Sequence, residues 1–299
     1  MIVFEPTVYL IGKQIVVRHE LQKFLDKHKV SGWTTNAPSA GEELAEIGGR
    51  VCYMSFPKPR PGGNLAYLEH IKEVGHGSVV EHATYTLLIE GISRSLTHEF
   101  VRHRHISPSQ LSQRYVDAVD TEYVCPPDIA IEVKMAQLAV YFTNYEKDIE
   151  SLMKYPDHLI GQYALKYGIK QTIKAIDIGN AWINGCEHDS EQYEELTKYL
   201  AEKAPAHLVG TERRKYARQT ARSVLPNATE TKIQMTGNGR SWRNFIELRA
   251  SRHADSEIRV LAGKVWEKLV EESPNLFGDY EKIILEDGTF ELKTKFTKI

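Results

Sequence analysis

Residues 83–104, ATYTLLIEGISRSLTHEFVRHR, change structural character within one stretch. Ala83 to Ile92 is rich in Thr, Tyr, Leu and Ile, side chains that fit a pleated surface, and reads as a strand. Ser93 can then cap a helix running to about Arg104, with Leu96 and Phe100 on its inward face. Pro108 ends that helical pattern and opens a loop into Arg114-Tyr115-Val116. A strand leading directly into a helix points to an α/β class, and the flanking sequence agrees.

Upstream, Val3 to Leu10 gives a short strand, followed by a Lys- and His-bearing segment with little periodicity. Loops at 31–41 and 56–63 bracket a short segment from Glu42 to Met54. Asn64 to Gly75 reads as an amphipathic helix, with Leu65, Leu68 and Ile71 on one face and Gly75 as its stop. Downstream, Leu138, Phe142, Tyr145, Ile149 and Leu152 form a stripe at alternating helical steps, closed by Pro156. Asp157 to Gly210 is polar, with weaker helical patterning from Glu191 to Lys203. Thr211 can cap a helix to Leu225, stopped by Pro226-Asn227. Thr231 to Thr236 reads as a strand, Gly237-Asn238-Gly239 as a turn, and Ser241 as the cap of another helix. Ile258, Leu261, Val265 and Leu269 mark a further helix, and Asp287-Gly288 between apolar runs predicts a hairpin. The sequence thus reads as one α/β domain over residues 1–299, with a helical insertion at about 128–210.

A chain of 299 residues can bury about three quarters of its unfolded surface. Its 41% hydrophobic and 26% charged residues exclude a disordered chain. With 38 Lys+Arg against 40 Asp+Glu, a dedicated nucleic-acid or membrane-surface protein is not expected. No apolar run approaches the ~20 residues of a membrane span. MIVFEPTVYLIG lacks the charged start of a secretory signal, so the cytoplasm is the expected compartment. Cys52, Cys125 and Cys186 are too scattered for a disulfide framework or a CxxC zinc site and read as small buried hydrophobes.

The densest chemistry lies in Glu99-Phe-Val-Arg102-His103-Arg104-His105-Ile-Ser107-Pro-Ser109-Gln110-Leu-Ser112-Gln113-Arg114. One reading is a solvated helix end, with cations near the C-terminus and Glu99 pairing with Arg102 or His103. The other is an anion site, since Arg presents a planar fork of donors and Ser and Gln add neutral ones. The polar run from Ser107 to Arg114 favours the second. His98-Glu99 opens like a zinc-binding HExxH, but Arg102 stands where the second ligand belongs, so no metal is expected.

A second basic element places Arg214, Arg218 and Arg222 on one helical stripe. It reads as an exposed face, a nucleic-acid surface or a grip on a small polyanion. The lack of interleaved aromatics and the slightly acidic total favour the last. In Thr236-Gly-Asn-Gly-Arg240-Ser-Trp242-Arg-Asn244, Trp242 occupies the third glycine position of a dinucleotide fingerprint, which excludes a Rossmann site. A helix start there still offers N–H groups to an anion. Trp242, Phe245, Arg249 and Arg252 fall on one helical face, and an Arg continuing an aromatic stripe needs an acidic partner or a ligand. Three basic elements without a Cys–His pair, GxSxG or P-loop suggest binding of phosphorylated, planar compounds.

Arg102-His103-Arg104, seven intervening residues and Ser112, extended as RHRHISPSQLSQRYV, resemble the signature of the flavin-dependent thymidylate synthases. Gly75-His76-Gly77-Ser78-Val-Val-Glu81-His82 resembles the family's flavin-contacting segment. ARQTARSVLPNATET and TGNGRSWRNFIELRASRHAD resemble its two later segments, in order. The likeness covers roughly Trp33 to Tyr123 and Arg213 to Tyr280.

The resemblance implies an α/β fold with a central mixed sheet flanked by helices, and a homotetramer with active sites shared between chains. It implies reductive methylation of dUMP to dTMP, with 5,10-methylenetetrahydrofolate as carbon donor and NADPH-reduced FAD as hydride source. By the same resemblance, Ser78, Arg102, His103, Arg104, Gln110, Asn238, Gly239, Arg240 and Asn244 would hold FAD. Asn244 stands where relatives often carry His and can still donate to the flavin. Glu99, Arg102, Gln110, Leu111, Ser112, Gln113, Arg114, Arg222 and Arg249 would hold dUMP, some from a neighbouring subunit. Arg249 would be catalytic, against the uracil N3 and carbonyl edge, while Arg114 and Arg222 neutralise the phosphate. Cys125 would have no role as nucleophile, because the flavin supplies the electrons. The segment from about Asp128 to Gly210 is longer than the family pattern and reads as a helical elaboration. Two readings of other classes stand beside this one, a catalytically inactive nucleotide- or flavin-binding regulator and an RNA-binding module.

Overall fold

Tyr85, Leu87 and Ile89 are buried while Thr84, Thr86 and Leu88 between them are not, so residues 84–93 form a strand with one face committed to a core. The computed structural model describes residues 1–143 and 157–298, with the side chains of 142 and 143 outside that description. It is mixed α/β. The elements begin β1 (Ile2–Val3), β2 (Thr7–Lys13), α1 (Arg18–Lys27), α2 (Ala40–Tyr53), α3 (Gly63–Glu73), α4 (Gly77–Val80), β3 (Thr84–Ser93) and α5 (Arg94–Phe100). They continue β4 (Ile106–Gln110), β5 (Tyr123–Val124), α6 (Ala130–Thr143), α7 (Leu159–Tyr167), α8 (Ile169–Glu202) and α9 (Gly210–Ala221). The last are β6 (Glu230–Asn238), α10 (Gly239–Arg249), α11 (Ser256–Glu272), α12 (Pro274–Phe277), β7 (Glu281–Ile284) and β8 (Phe290–Lys293).

By contacts, the chain divides into two compact units. The first comprises residues 6–92, 96–110 and 232–299. Its four-stranded sheet has the order β2-β3-β6-β4, with β2 antiparallel to β3 and β4 antiparallel to β6. The loop expected after Pro108 is instead strand β4. It lies at the sheet edge, where a residue without an N–H is tolerated. The helix expected to reach Arg104 stops at Phe100, the last residue of its apolar period. A turn follows, and the Ile106 N–H donates to the His103 carbonyl at 2.9 Å, sending the buried Ile106 into the sheet.

Leu87, Ile89, Ile233 and Met235 of this sheet share one core with Trp242, Phe245, Leu261 and Val265 of α10 and α11. All four expected apolar residues of α11 are buried. In α3 the buried face runs through Tyr67, Leu68 and Ile71, and Leu65 is exposed. Gly75 ends α3 as expected: at φ 71° it lets its own N–H reach Lys72 O and the His76 N–H reach Ile71 O. The Lys- and His-bearing N-terminal segment is helix α1. Its inward face carries Leu21, Phe24 and Leu25 at helical spacing, of which only Leu25 is fully buried. The Asp287-Gly288 hairpin joins β7 to β8.

The second unit comprises residues 1–5, 93–95 and 111–231. β1 and β5 pair in parallel, and α6, α7 and α9 each pack on α8. Asp157 to Gly210 is far more helical than its patterning suggests, because α8 alone runs 34 residues. Its buried positions are mostly small or polar, among them Thr172, Ala175, Gly179 and Cys186, which leaves a faint apolar stripe. Of the stripe expected from Leu138 to Leu152, Leu138 packs in a small core with Met135 and Ile160. Tyr145, Ile149, Leu152, Pro156 and the Phe142 side chain lie outside the described residues. No helix among the described residues is long and apolar enough to cross a membrane.

One buried ion cluster ties the tail to the first unit's core. Arg243 donates to both Asp279 oxygens, at 2.7 and 2.8 Å, and Lys72 donates to Asp279 Oδ1 at 2.6 Å. Burial alone would raise the Asp279 carboxyl, but the Arg243 hydrogen bonds and charge, with Lys72, bring it down to about 2. Asp279→Asn should cost about 3–5 kcal/mol by leaving two buried cations uncompensated, read as a lower urea midpoint at neutral pH. The wild-type contribution should persist above pH 4 and disappear only as pH falls through about 2. An unchanged midpoint in the variant would remove this cluster from the core's stability.

Candidate functional site

The chemistry expected around Thr236–Asn244 is organised by the start of α10. Asn238, not Ser241, is the cap: its Oδ1 accepts from the Ser241 N–H and hydroxyl, both at 2.8 Å. The expected Gly237-Asn238-Gly239 turn is instead the end of β6 followed by the first helical residue. Gly239 donates its N–H to Ala83 O at 2.7 Å, and a Cβ there would sit 2.8 Å from Val80 O. Glycine is therefore required for the helix start to lie against residues 80–83.

That close approach forms one wall of a cleft of about 550 Å³. Glu81, His105, Asn238, Arg240, Ser241, Asn244 and Lys298 line it. Arg240 reaches Glu81 at 2.7 Å, leaving Lys298 as a second cation, with His105 and carboxamides around it. A helix N-terminus with two cations, one carboxylate and several neutral donors fits a phosphorylated cofactor. Of the expected flavin residues, Asn238, Arg240 and Asn244 meet in this cleft. Glu81 and His105 lie inside the family-like motifs, but nothing in their residue type or spacing marks them for the cleft. Lys298 carries no sequence signal at all.

At the other end of α10, Trp242 and Phe245 are fully buried and Arg249 is half-buried. Its Nη1 donates to Glu99 Oε2 at 2.5 Å and its Nε donates to His103 Nε2 at 3.0 Å. The acidic partner that an Arg on an aromatic stripe needs is thus Glu99. Glu99 does not pair with Arg102 or His103 as helical spacing suggested, because the helix has ended and Arg102 Nε turns back to His98 O at 3.0 Å. Arg252 does not continue the stripe either. It lies beyond α10 and is ion-paired with Glu291. The His103 ring meets Phe245 edge-on at 5.2 Å and 78°. Burial, helped by the neighbouring Arg249 cation, pushes its pKa down to about 4.

Ser78, Arg102 and Arg104 are exposed, and Gln110 Nε2 donates to Thr97 Oγ1 at 3.0 Å. The remaining expected substrate residues belong to the second unit. There Leu111 O accepts from Arg94 Nη2 at 2.6 Å. Ser112, Gln113 and Arg114 are half-buried in the turn that follows, and Arg222 is exposed at the end of α9. The expected Arg214, Arg218 and Arg222 stripe is not uniform, because Arg218 is bonded to Tyr115 O and Asp117 Oδ2. Burial pushes the Cys125 thiol up to about 12, too high for a thiolate at neutral pH. No group of three or more His, Cys, Asp or Glu placed to hold a metal occurs among the described residues.

The family model described as thymidylate synthase complementing protein matches residues 35–275. The chain is 42% identical over 259 residues to the flavin-dependent thymidylate synthase of Mycolicibacterium vanbaalenii, covering 86% of each protein. It is similarly 42% identical to that of Corynebacterium efficiens over 86% of each. It is 41% identical over 282 residues to that of Mycobacterium leprae, 92% of each.

The depressed His103 pKa has a stability consequence. Below pH 6.5 an unfolded His103 takes up a proton that the folded one refuses until about 4, so this site's stability is full above 6.5 and is lost towards 4. Melting temperatures taken from pH 7 to 4.5 should fall less steeply in His103→Gln than in wild type. Equal slopes would show that the folded imidazole titrates normally.

Proposed function

The chain belongs to the thymidylate synthase complementing protein family, and on that premise we propose that it is a flavin-dependent thymidylate synthase. It would convert dUMP to dTMP with 5,10-methylenetetrahydrofolate as carbon donor and NADPH as reductant. The observation that carries this reading is that one helix, α10, bears a cation- and amide-lined cleft at its start and a half-buried Arg at its end. Such a helix holds an anionic cofactor and a polarised ring in fixed relation.

Asn238, Gly239, Arg240 and Asn244 would hold FAD, joined by Ser78, Arg102, His103, Arg104 and Gln110. When bound, FAD supplies the hydride that reduces the transferred carbon to a methyl group. Glu99, Arg102, Gln110, Leu111, Ser112, Gln113, Arg114, Arg222 and Arg249 would hold dUMP, some of them contributed by a neighbouring protomer of a homotetramer. Arg114 and Arg222 would bind the phosphate and so orient the ring. Arg249 would face the N3 and carbonyl edge, favouring the N3-ionised form and stabilising charge that develops on the ring. The core chemistry needs no thiolate, in keeping with the buried, weakly acidic Cys125.

We read the whole chain, residues 1–299, as one functional domain around a central mixed sheet, with 128–210 as its helical insertion. The family match from 35 to 275 includes residues of both compact units, which supports that reading. The cytoplasm is the compartment where its substrates would be met.

Purified protein should be yellow, should oxidise NADPH faster when dUMP is added, and should form dTMP only with the folate present. A colourless protein unable to take up FAD would overturn the reading. Arg249→Ala should lose about 100-fold or more in turnover while retaining its flavin, a loss of the size seen when a preorganised donor to developing charge is removed. Normal turnover in that variant would end the assignment of ring activation to Arg249.

A further inference from the structure

We infer that His103 is a positioning residue for Arg249, holding its guanidinium by a neutral acceptor so that its remaining donors face the substrate. This deepens the proposed function and rests on it for the identity of the ligand, but not for the contact itself.

A guanidinium has five N–H donors in one plane. Two of them are taken by protein, Nε–H by His103 Nε2 at 3.0 Å and one Nη1–H by Glu99 Oε2 at 2.5 Å. Bonds at two different nitrogens fix the plane of the group and its rotation within that plane. The other Nη1 hydrogen and both Nη2 hydrogens have no protein acceptor among the described residues. An ion pair with Glu99 alone would fix one corner and leave the rest free to turn.

The chemistry of the second acceptor matters as much as its place. Glu99 already balances the Arg249 charge. A second carboxylate in place of His103 would leave the pair net negative, facing an anionic ligand. A neutral imidazole supplies direction without adding charge. To accept from Arg249, Nε2 must be bare, which puts the ring proton on Nδ1. The charged groups facing the ring are Arg249 from α10 and, through it, Glu99 from α5. Phe100 and Phe245 cover it with apolar edges. A protonated ring in that setting would place two cations within hydrogen-bond distance with no acceptor between them. Nδ1–H is then the ring's one polar group left for the cofactor of the proposed site.

The test compares FAD-saturated wild type with His103→Ala, His103→Gln, Arg249→Ala and the Ala–Ala double variant. Gln is chosen because its side-chain oxygen reaches the place of Nε2. His103→Ala should weaken dUMP binding and lower turnover by about 10- to 100-fold, the range for a lost hydrogen bond to a charged group. The double variant should be no worse than Arg249→Ala, and His103→Gln should recover most of the loss. Losses that multiply in the double variant, or a Gln variant as poor as the Ala variant, would overturn the inference while leaving the enzyme reading intact. A second measurement stands apart from activity. With 15N-labelled arginine, the Nε–H signal absent from Arg249→Ala should exchange slowly with solvent in wild type and His103→Gln, and rapidly in His103→Ala. Rapid exchange in wild type would overturn the inference whatever reaction the protein catalyses.

Discussion

Burial of one aromatic face positions everything else at the candidate site. Trp242 and Phe245 project from α10 into the first unit's core, where Phe245 stacks on Phe100 at 4.8 Å and Trp242 donates to Tyr85 O at 3.3 Å. A helix is a stiff rod rising about 1.5 Å per residue, so fixing its middle also fixes both ends. At one end lie Asn238 and Arg240 with the cleft, and at the other lies Arg249. The site inherits its precision from apolar packing that touches no ligand.

The same helix shows why a count of cations says little about function. Arg243 and Arg249 are both on α10, yet Arg243 spends both its Nη groups on Asp279, Leu276 O and Phe296 O inside the core. Arg249 keeps three donors without protein acceptors among the described residues. An Arg whose Nη groups are both taken by protein acceptors is a structural tie, while one with spare Nη donors is available to a ligand. Arg218 gives its two Nη groups to Tyr115 O and Asp117 and belongs with the first, whereas Arg240, exposed in the cleft, gives only Nη1 to Glu81 and belongs with the second.

Where apolar side chains recur strongly, the sequence was readable. β3, the α11 stripe, the Gly75 stop and the final hairpin all stand as expected. Where burial uses small or polar residues, the rhythm fades, and α8 was visible only near its end. α1 does carry Leu21, Phe24 and Leu25 on one face, but it is short and only Leu25 is fully buried, so its apolar signal is brief. Pro108 signals a break in any helix, but only the position of β4 at the sheet edge explains why it signals a strand. Asn238 and Ser241 are equally good caps by residue type. The choice between them is made by Gly239, whose missing side chain allows the helix to begin against Val80. The grouping of Asn238, Arg240 and Asn244 was legible from the motif, whereas Lys298 reached the same cleft from a tail without any pattern.

The Arg102-His103-Arg104 triplet shows how far a motif and its geometry can diverge. On a continuing helix, successive residues point about 100° apart, and all three could share a polar surface around its end. The helix instead stops at Phe100, and the chain turns towards Ile106, which must be buried. That turn sends the middle residue inward against Phe245 and leaves Arg102 and Arg104 exposed. One basic-looking word therefore contains two kinds of chemistry. The outer pair are charges open to solvent or a ligand, and the inner imidazole is neutral because aromatic rings and a guanidinium surround it. What the sequence presents as a block of positive charge is, in the fold, a pair of cations separated by an acceptor.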